Sequence, residues 1–177
     1  MKLFAVVLGG RAPKCNIELH DVVFAVGYTI EDTYQQLLSQ WFGNPKKMHI
    51  DSYMELNVVD GYEVKLNKDV SYQEEKLYFI NMGAYKKGDF MEHHANTFLV
   101  DTSDAQVKTR AKQSLLKGYD EVHKDDLYDI DDLLNITKVN GYHVILTPTE
   151  KKENLIPQNG YHVLPKKVVE DYVATIK

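Results

Sequence analysis

Two short polar motifs in the chain carry side chains that could bind a metal ion or exchange protons. Glu18-x-His20 and His49-x-Asp51 each hold a carboxylate and an imidazole two positions apart. In an extended backbone, side chains at positions i and i+2 point to the same face, so each pair could converge on one point. Two histidines and two carboxylates are a plausible ligand set for Zn²⁺ or another divalent transition metal. The same groups could perform acid–base chemistry, with a carboxylate orienting the imidazole.

Both motifs return later in the chain, as Glu92-x-His94 and His123-x-Asp125, 74 positions after the first two. The candidate site residues are therefore Glu18, His20, His49, Asp51, Glu92, His94, His123 and Asp125. A structural role competes with the chemical one, because a histidine and a carboxylate at the start of buried strands often hydrogen-bond the loop backbone. No HExxH motif, zinc knuckle or catalytic-triad spacing accompanies the motifs, so both interpretations stay open.

The motifs belong to a longer internal similarity. The apolar run of residues 3–8 returns at residues 77–82 with the same offset of 74 positions. The turn Asp60-Gly61-Tyr62 returns as Asn140-Gly141-Tyr142 after 80 positions. We therefore predict two tandem copies of one unit, at residues 1–67 and 76–147, packed as one compact body. Residues 148–177 form a C-terminal extension.

Each copy shows the same order of local signals, which predicts a β-β-α-β-β unit. An apolar run without polar alternation suits a strand covered on both faces. A strand rich in Val and Phe, a helix that begins with a capping box, and a hairpin around Asp-Gly or Asn-Gly follow. The predicted strands are 3–8, 21–27, 54–59 and 62–66 in the first copy, and 77–82, 95–101, 136–139 and 142–146 in the second. The predicted helices begin at Thr29 and Ser103 and end at Gly43 and Gly118.

The tail of the chain repeats the turn signal once more, as Asn159-Gly160-Tyr161. This predicts a C-terminal hairpin with Tyr161 as a packing residue, and the helical spacing of Val168, Val169 and Tyr172 predicts a short helix packed on the body. The fold class expected from the whole chain is α+β. It consists of an internal duplication with a pseudo-two-fold arrangement, plus a C-terminal hairpin and a short helix. Whether the copies share one sheet or pack as two layers stays open.

Several other chemistries are disfavoured by the sequence. Cys15 is the only cysteine, which excludes an internal disulfide and a four-cysteine zinc site, and its counterpart Asp89 disfavours a catalytic thiol. Gly9-Gly10 matches neither the dinucleotide-binding nor the phosphate-loop pattern, so we expect a sharp turn there. The acidic segment of residues 120–132 lacks the central glycine and terminal glutamate of a calcium loop and is expected to be solvated.

The bulk composition is that of an ordinary globular protein. The chain has 177 residues, of which 44% are hydrophobic and 27% charged, and its net charge is −5. This balance disfavours a nucleic-acid partner, which would require a basic surface. The apolar start of the chain recurs at residues 77–82, where no signal peptide could lie, so we interpret it as a strand. No segment approaches the roughly 18 apolar residues of a membrane span, and we expect a soluble, cytoplasmic protein.

Residues of the first copy resemble the family named domain of unknown function 1543. The resemblance rests on the apolar strand ending Leu-Gly-Gly, on Glu18-x-His20-Asp21-Val22-x-Phe24, on Trp41-Phe42-Gly43, on His49-x-Asp51 and on Val59-Asp60-Gly61-Tyr62. It covers about residues 2–67 and 76–147 and implies a mainly bacterial protein with one or two copies per chain and no established activity. Through it Asp21 joins the candidate site. The second copy has Ala95 and Leu115 in place of Asp21 and Trp41, so a working site is expected in the first copy.

Two functions of different classes fit these observations. The first is a non-catalytic protein that binds a protein or a small molecule at the junction of the two copies, because the residues that the copies share are mostly core and turn residues. The second is a metal-binding protein or a metal-dependent enzyme that uses the histidine and carboxylate set. A divalent metal ion is the one cofactor that the sequence suggests, and neither nucleic acid nor a membrane is expected as a partner.

Overall fold

A computed structural model describes residues 1–69, 72–84, 87–115 and 130–176 of the chain. Within these ranges the chain forms three antiparallel sheets and three α-helices, which confirms the α+β class. The strands are β1 (Lys2–Gly10), β2 (Leu19–Gly27), β3 (His49–Glu55), β4 (Val58–Val59), β5 (Tyr62–Asn67), β6 (Lys76–Ala84), β7 (His93–Asp101), β8 (Ile130–Asn135), β9 (Lys138–Val139), β10 (Tyr142–Pro148) and β11 (Gln158–Val163). The helices are α1 (Tyr34–Gln40), α2 (Asp104–Leu115) and α3 (Lys166–Thr175). None of these helices has the length and apolar character that crossing a membrane requires.

Two of the sheets belong to different halves of the chain, and the third joins them. The N-terminal sheet has the strand order β11-β3-β1-β2, and the C-terminal sheet has the order β7-β6-β8. The third sheet, called here the hairpin sheet, contains the hairpin β4-β5 of the first half and the hairpin β9-β10 of the second, in the order β4-β5-β10-β9. The pairing of β5 with β10 joins the two hairpins. Each half therefore has its own sheet, and the two halves share only the sheet built from their hairpins.

Strands β1 and β6 lie inside their sheets, so their side chains alternate between two cores. Leu3 of β1 and Phe79 of β6 share one core, which lies between the halves. Val6, on the other face of β1, packs in a second core that α1 and α3 close. Ile80, on the other face of β6, packs in a third core under α2. This covering of both faces explains the continuous apolar runs in the sequence.

The two predicted type I′ turns are confirmed, whereas the helix predicted to begin at Thr29 begins at Tyr34 and has no side-chain cap. Both central residues of each hairpin turn have positive φ, with 50° and 81° at Asp60-Gly61 and 46° and 83° at Asn140-Gly141. These values define type I′ turns. The carboxylate of Asp32 accepts a hydrogen bond of 2.9 Å from the backbone N–H of Thr29 at the entry to the α1 region. The predicted helix end at Gly118 and most of the acidic segment lie outside the described residues.

The predicted β-β-α-β-β order omits one strand. In the N-terminal half, β3 pairs with β1 from His49 to Glu55, and the hairpin of β4 and β5 follows it. The sequence pattern misses the start of β3 because His49 and Asp51 occupy the face that would carry apolar side chains in an ordinary buried strand. The polar residues of the candidate site therefore interrupt the apolar pattern by which the sequence would reveal β3.

The predicted C-terminal hairpin is wrong, and the predicted C-terminal helix is confirmed. Residues 158–163 form the single strand β11, which pairs with β3 at the edge of the N-terminal sheet. The Asn159-Gly160 signal lies at a register shift of this pairing and not in a hairpin turn. Helix α3 packs Val168 and Tyr172 against the core that α1 closes. The extension completes the N-terminal sheet because the free edge of β3 offers unpaired backbone groups.

An ion pair fastens the turn of the first hairpin to the C-terminal half. Arg110 of α2 donates two hydrogen bonds, of 2.8 and 2.7 Å, to the carboxylate of Asp60. The same carboxylate accepts a bond of 2.9 Å from the backbone N–H of Val100, whose carbonyl accepts another from Arg110. Both bonds come from the single nitrogen Nη2, and such charge-assisted hydrogen bonds are stronger than those between neutral groups. Asp60 therefore serves both the turn and the contact between the halves.

We expect Asp60→Asn to lower the free energy of unfolding by about 1–2 kcal/mol, because asparagine tolerates the same backbone conformation but removes the charge that Arg110 binds. Urea unfolding measures the change. The matched control is Asn140→Asp, at the same position of the second hairpin, which should change stability by less than about 0.5 kcal/mol. Equal effects of the two variants would contradict a role of the ion pair in joining the halves.

Tyr78 predicts how stability depends on alkaline pH. Its ring is buried under α2 and its hydroxyl donates a hydrogen bond of 3.0 Å to Asp104. Burial and then this hydrogen bond raise the pKa of Tyr78 to about 12. The phenol of an unfolded chain titrates near pH 10. The contribution of the neutral Tyr78 phenol to the free energy of unfolding is therefore complete below about pH 10 and is lost as the pH rises towards 12.

Tyr78→Phe should cost about 1 kcal/mol at neutral pH through the lost hydrogen bond, and the cost should vanish at about pH 11. Urea unfolding at both pH values tests this. Tyr72→Phe, at an exposed phenol, is the control and should be near wild type at both pH values. A cost for Tyr78→Phe that stays constant with pH would contradict the assignment.

Candidate metal centre

Three strands of the N-terminal sheet bring two candidate histidines together over a glycine. Gly9 of β1 pairs with His20 of β2 on one side and with His49 of β3 on the other. Residues opposite each other in antiparallel strands carry their side chains on the same face. A Cβ at Gly9 would collide with Asp51 Oδ2 and would lie 2.6 Å from His49 Nε2. The sharp turn predicted at Gly9-Gly10 is therefore wrong, since both residues continue β1 and Gly9 leaves room for the cluster.

Asp51 reaches the cluster through a β-bulge. In the pairing of β1 with β3, Val7 lies opposite Ser52 and Leu8 lies opposite Ile50, so Asp51 is the extra residue. A bulge bends the strand locally and redirects the side chain of the extra residue. Ile50, one position earlier, still packs in the core that α1 closes. The strand therefore serves the core with one residue and the cluster with the next.

The four N-terminal candidates form one cluster of ligand-type atoms. His20 Nε2 lies 3.6 Å from Glu18 Oε1 and 3.2 Å from Asp51 Oδ2. His49 Nε2 lies 3.4 Å from Glu18 Oε1 and 3.1 Å from Asp51 Oδ1. The ligand atoms of Glu18, His20 and Asp51 all lie within 4.8 Å of one another. Both carboxylates thus contact both imidazoles.

His49 is the buried side of this cluster, and its ring nitrogens make no hydrogen bond with any described residue although Nε2 contacts both carboxylates. Its side chain is 2% exposed. The contact of 3.1 Å with Asp51 lacks hydrogen-bond geometry, and Asp51 Oδ2 is likewise buried without a hydrogen bond in the described part of the chain. Buried polar atoms without partners are rare and destabilising, so this arrangement needs an explanation.

The other side of the cluster is open to solvent. The side chains of His20 and Glu18 are 54% and 42% exposed, against 29% for Asp51. The cluster therefore runs from a buried imidazole to an exposed one. This arrangement would let the buried His49 hold a cation on one side, while a further ligand could reach the cation from the solvent side at His20.

Two aromatic residues support the cluster from outside. Tyr161 of β11 stacks on the imidazole of His49 with ring centroids 4.2 Å apart and an interplanar angle of 39°. Trp41, which follows α1, packs against the end of β1, where a Cβ at Gly10 would lie 3.0 Å from its ring. These contacts restrain His49 and the strand that carries Gly9. The expectation that Tyr161 packs in a hairpin is accordingly replaced by a contact with the site.

Asp21, Glu92 and His94, the other candidates that the structure describes, do not belong to this cluster. Asp21 accepts a hydrogen bond from the backbone N–H of Val22 and belongs to a neighbouring cleft. In the C-terminal half, His94 Nε2 lies 3.9 Å from Glu92, and His94 pairs with Gly83 as His20 pairs with Gly9.

The residues of the second half that correspond to the His49-x-Asp51 motif differ from those that the sequence comparison predicts. His123 and Asp125 lie outside the described residues. Ile130 pairs with Met82 as Ile50 pairs with Leu8, so the register assigns the bulge position of Asp51 to Asp131 and not to Asp125. The offset between the two halves is therefore already 80 positions in β8, whereas the sequence comparison keeps an offset of 74 as far as Asp125.

Sequence reasoning missed Gly9 and Tyr161 as parts of the site. Gly9 had a signal, because a glycine follows the apolar run in both halves at the position opposite the histidine of Glu-x-His. Tyr161 had none, because the pairing of β11 with β3 joins segments about 110 residues apart in the chain. Only the assembled sheet brings its ring onto His49.

Comparisons with known proteins agree with the fold. Residues 15–66 match the family described as Domain of Unknown Function (DUF1543), and all four cluster residues lie in this range. A solved structure of a protein Il1583 from Idiomarina loihiensis is 34% identical to this chain, with a TM-score of 0.72. The similarity covers 93% of this chain and 99% of that one. Among curated proteins, none matches the chain.

Substitutions at the two neighbouring glycines should separate cluster geometry from backbone packing. A Cβ at Gly9 meets the tips of two side chains, whereas a Cβ at Gly10 would lie 2.6 Å from the backbone oxygen of Lys47. We expect Gly9→Ala to cost about 1 kcal/mol in the free energy of unfolding and Gly10→Ala about 2–3 kcal/mol, since side-chain tips move more easily than backbone. Urea unfolding measures both. A larger cost at Gly9 would mean that the cluster is rigidly packed.

Proposed function

This chain belongs to the DUF1543 family, and we propose that it binds one divalent transition-metal ion between Glu18, His20, His49 and Asp51. The observation that carries the proposal is the buried imidazole of His49. Its ring nitrogens have no hydrogen-bond partner in the described part of the chain, and Nε2 faces two carboxylates. A purely structural network would satisfy that imidazole with hydrogen bonds. A cation between Nε2 and the carboxylates would supply the missing partner, so the metal interpretation is favoured.

The spacing of the ligand atoms supports the proposal. Metal bonds of about 2.1 Å separate neighbouring ligand atoms by about 3.0 Å in an octahedral site and about 3.4 Å in a tetrahedral one. The four contacts between imidazole nitrogens and carboxylate oxygens measure 3.1, 3.2, 3.4 and 3.6 Å. Glu18, His20 and Asp51 have ligand atoms that all lie within 4.8 Å of one another, and His49 would join the ion from the buried side by a movement of its side chain or of the other three. A site that needed large rearrangement would bind metal weakly.

The donor set indicates which ions fit. Two carboxylates balance the charge of a divalent ion, and two neutral imidazoles favour Zn²⁺, Mn²⁺, Fe²⁺ or Co²⁺ over Ca²⁺ and Mg²⁺, which prefer oxygen ligands. The single thiol, Cys15, instead interacts with the backbone N–H of Ala12. The exposed side at His20 leaves the ion accessible to water or a further ligand, which is the arrangement of an ion that activates a ligand.

We also infer that the chain is an internal duplication with pseudo-two-fold symmetry. The pairing of β5 with β10 supports this, because Lys65 lies opposite Ile145, the residue 80 positions later. A two-fold axis through that pair would exchange the hairpins. At this offset of 80 positions the sequence has Asp129 where the first copy has His49, so the second copy lacks the corresponding imidazole. The duplication accounts for the fold, and the metal site belongs to the first copy alone.

The metal site predicts one ion per chain. Purified protein, stripped with a chelator and reloaded with Zn²⁺ or Mn²⁺, should bind about one equivalent by elemental analysis and calorimetry. Excess metal should raise the thermal midpoint, because an ion that binds the folded state stabilises it. Glu18→Gln with Asp51→Asn should weaken binding at least about 100-fold while the fold persists, since both changes keep side-chain size.

The matched control is Glu92→Gln with His94→Ala, which changes the Glu-x-His motif of the C-terminal sheet. This variant should bind the same single equivalent with wild-type affinity. The proposal fails if the wild-type protein binds no stoichiometric ion. It also fails if the Glu18 and Asp51 changes leave affinity intact, because the cluster would then be a hydrogen-bond network or an ion pair without a metal.

A further inference from the structure

We infer that the cleft between the N-terminal and C-terminal sheets binds a small molecule with a protonated amine, held beside the metal ion. The inference rests on the proposed metal site. The cleft has a volume of about 530 Å³ and both halves of the chain line it. His20 lines the cleft and also belongs to the cluster of Glu18 and Asp51. The cleft therefore begins where the cluster is open.

The cleft is lined by two carboxylates and, within the described ranges, by no lysine or arginine. Asp21 comes from β2 and Asp132 comes from β8 of the opposite sheet. In the part of the chain that the structure describes, neither carboxylate forms an ion pair with a lysine or arginine. The metal ion itself would be neutralised by Glu18 and Asp51. The cleft thus presents two carboxylates without a lysine or arginine partner in the described residues, beside the imidazoles of His20 and His94, and this set favours a cationic ligand over phosphates and carboxylates.

The opposite wall adds hydrogen-bonding groups in a fixed arrangement. Asn81 Nδ2 donates a bond of 2.6 Å to Asn96 Oδ1, and Asn81 Oδ1 lies 3.3 Å from His94 Nδ1. These contacts orient the Asn96 amide so that its own N–H groups stay available to a ligand oxygen. Phe79 and Leu134 line the same cleft with apolar surface. A ligand with one amine, one oxygen and an apolar middle matches the three kinds of surface.

The cleft also explains why a metal centre would lie at the junction of the two halves. His49 and Asp51 Oδ2, which are buried and make no hydrogen bond with any described residue, favour a cation at the N-terminal side. The C-terminal sheet has its own carboxylate and amides on the facing side. A ligand that coordinates the ion through an oxygen could therefore place its amine against the second sheet, and both halves would contribute to one binding site.

The test compares two probes of equal length on the full chain loaded with Zn²⁺. These are 4-amino-1-butanol, which is cationic, and 1,4-butanediol, which is neutral. Calorimetry or NMR titration should give at least 10-fold tighter binding for the amine. Asp21→Asn with Asp132→Asn should remove that preference without changing metal stoichiometry. Asp69→Asn with Asp171→Asn makes the same change in net charge at exposed positions outside the cleft and should leave the preference intact.

The outcomes separate this inference from the proposed metal site, because bound Zn²⁺ is measured on every sample. One bound ion with equal affinity for both probes would overturn the amine site alone. A preference that survives in the Asp21 and Asp132 double variant would also overturn it. Absence of bound Zn²⁺ in the wild-type protein would overturn the metal site and, with it, the placement of the ligand oxygen.

Discussion

Strand β1 is paired along both edges and covered on both faces, so nearly every one of its side chains is committed to a core. Gly9 is the exception, because it has no side chain to place in either core. With no side chain there, His20 and His49 from the two neighbouring strands can approach across β1, and Asp51 can turn in through its bulge. The cluster therefore depends on a residue that contributes no chemistry itself. Close packing elsewhere in the sheet makes the gap specific.

The two halves of the chain are held together by different means from those that build each half. The core shared by Leu3 and Phe79 supplies apolar burial, and the ion pair of Arg110 with Asp60 fixes the hairpin turn to α2. These contacts leave a polar cleft between the two sheets next to His20. A junction that is apolar in one part and polar in another can join the halves and still present a binding surface.

Much of the local structure could be predicted because it depends on neighbouring residues. The type I′ turns follow from Asp60-Gly61 and Asn140-Gly141, and the α3 helix follows from the spacing of its apolar residues. Strand β3 escaped prediction because its polar residues serve the cluster and interrupt the apolar pattern. The sequence predicts a turn at Gly9 because a glycine after an apolar run commonly marks the end of a strand. Only its pairing with two neighbouring strands shows that Gly9 continues β1.

The sequence by itself determined the α+β class, the two type I′ turns, and the short list of histidines and carboxylates that contains the cluster. The tertiary structure decided which of them meet. Glu18 and His20 are about 30 residues from His49 and Asp51 along the chain, and their distance depends on strand order, register and one bulge. Tyr161 lies farther still and reaches His49 only through the edge pairing of β11. Local propensity fixes elements, whereas contacts between distant segments arise only when the sheets assemble.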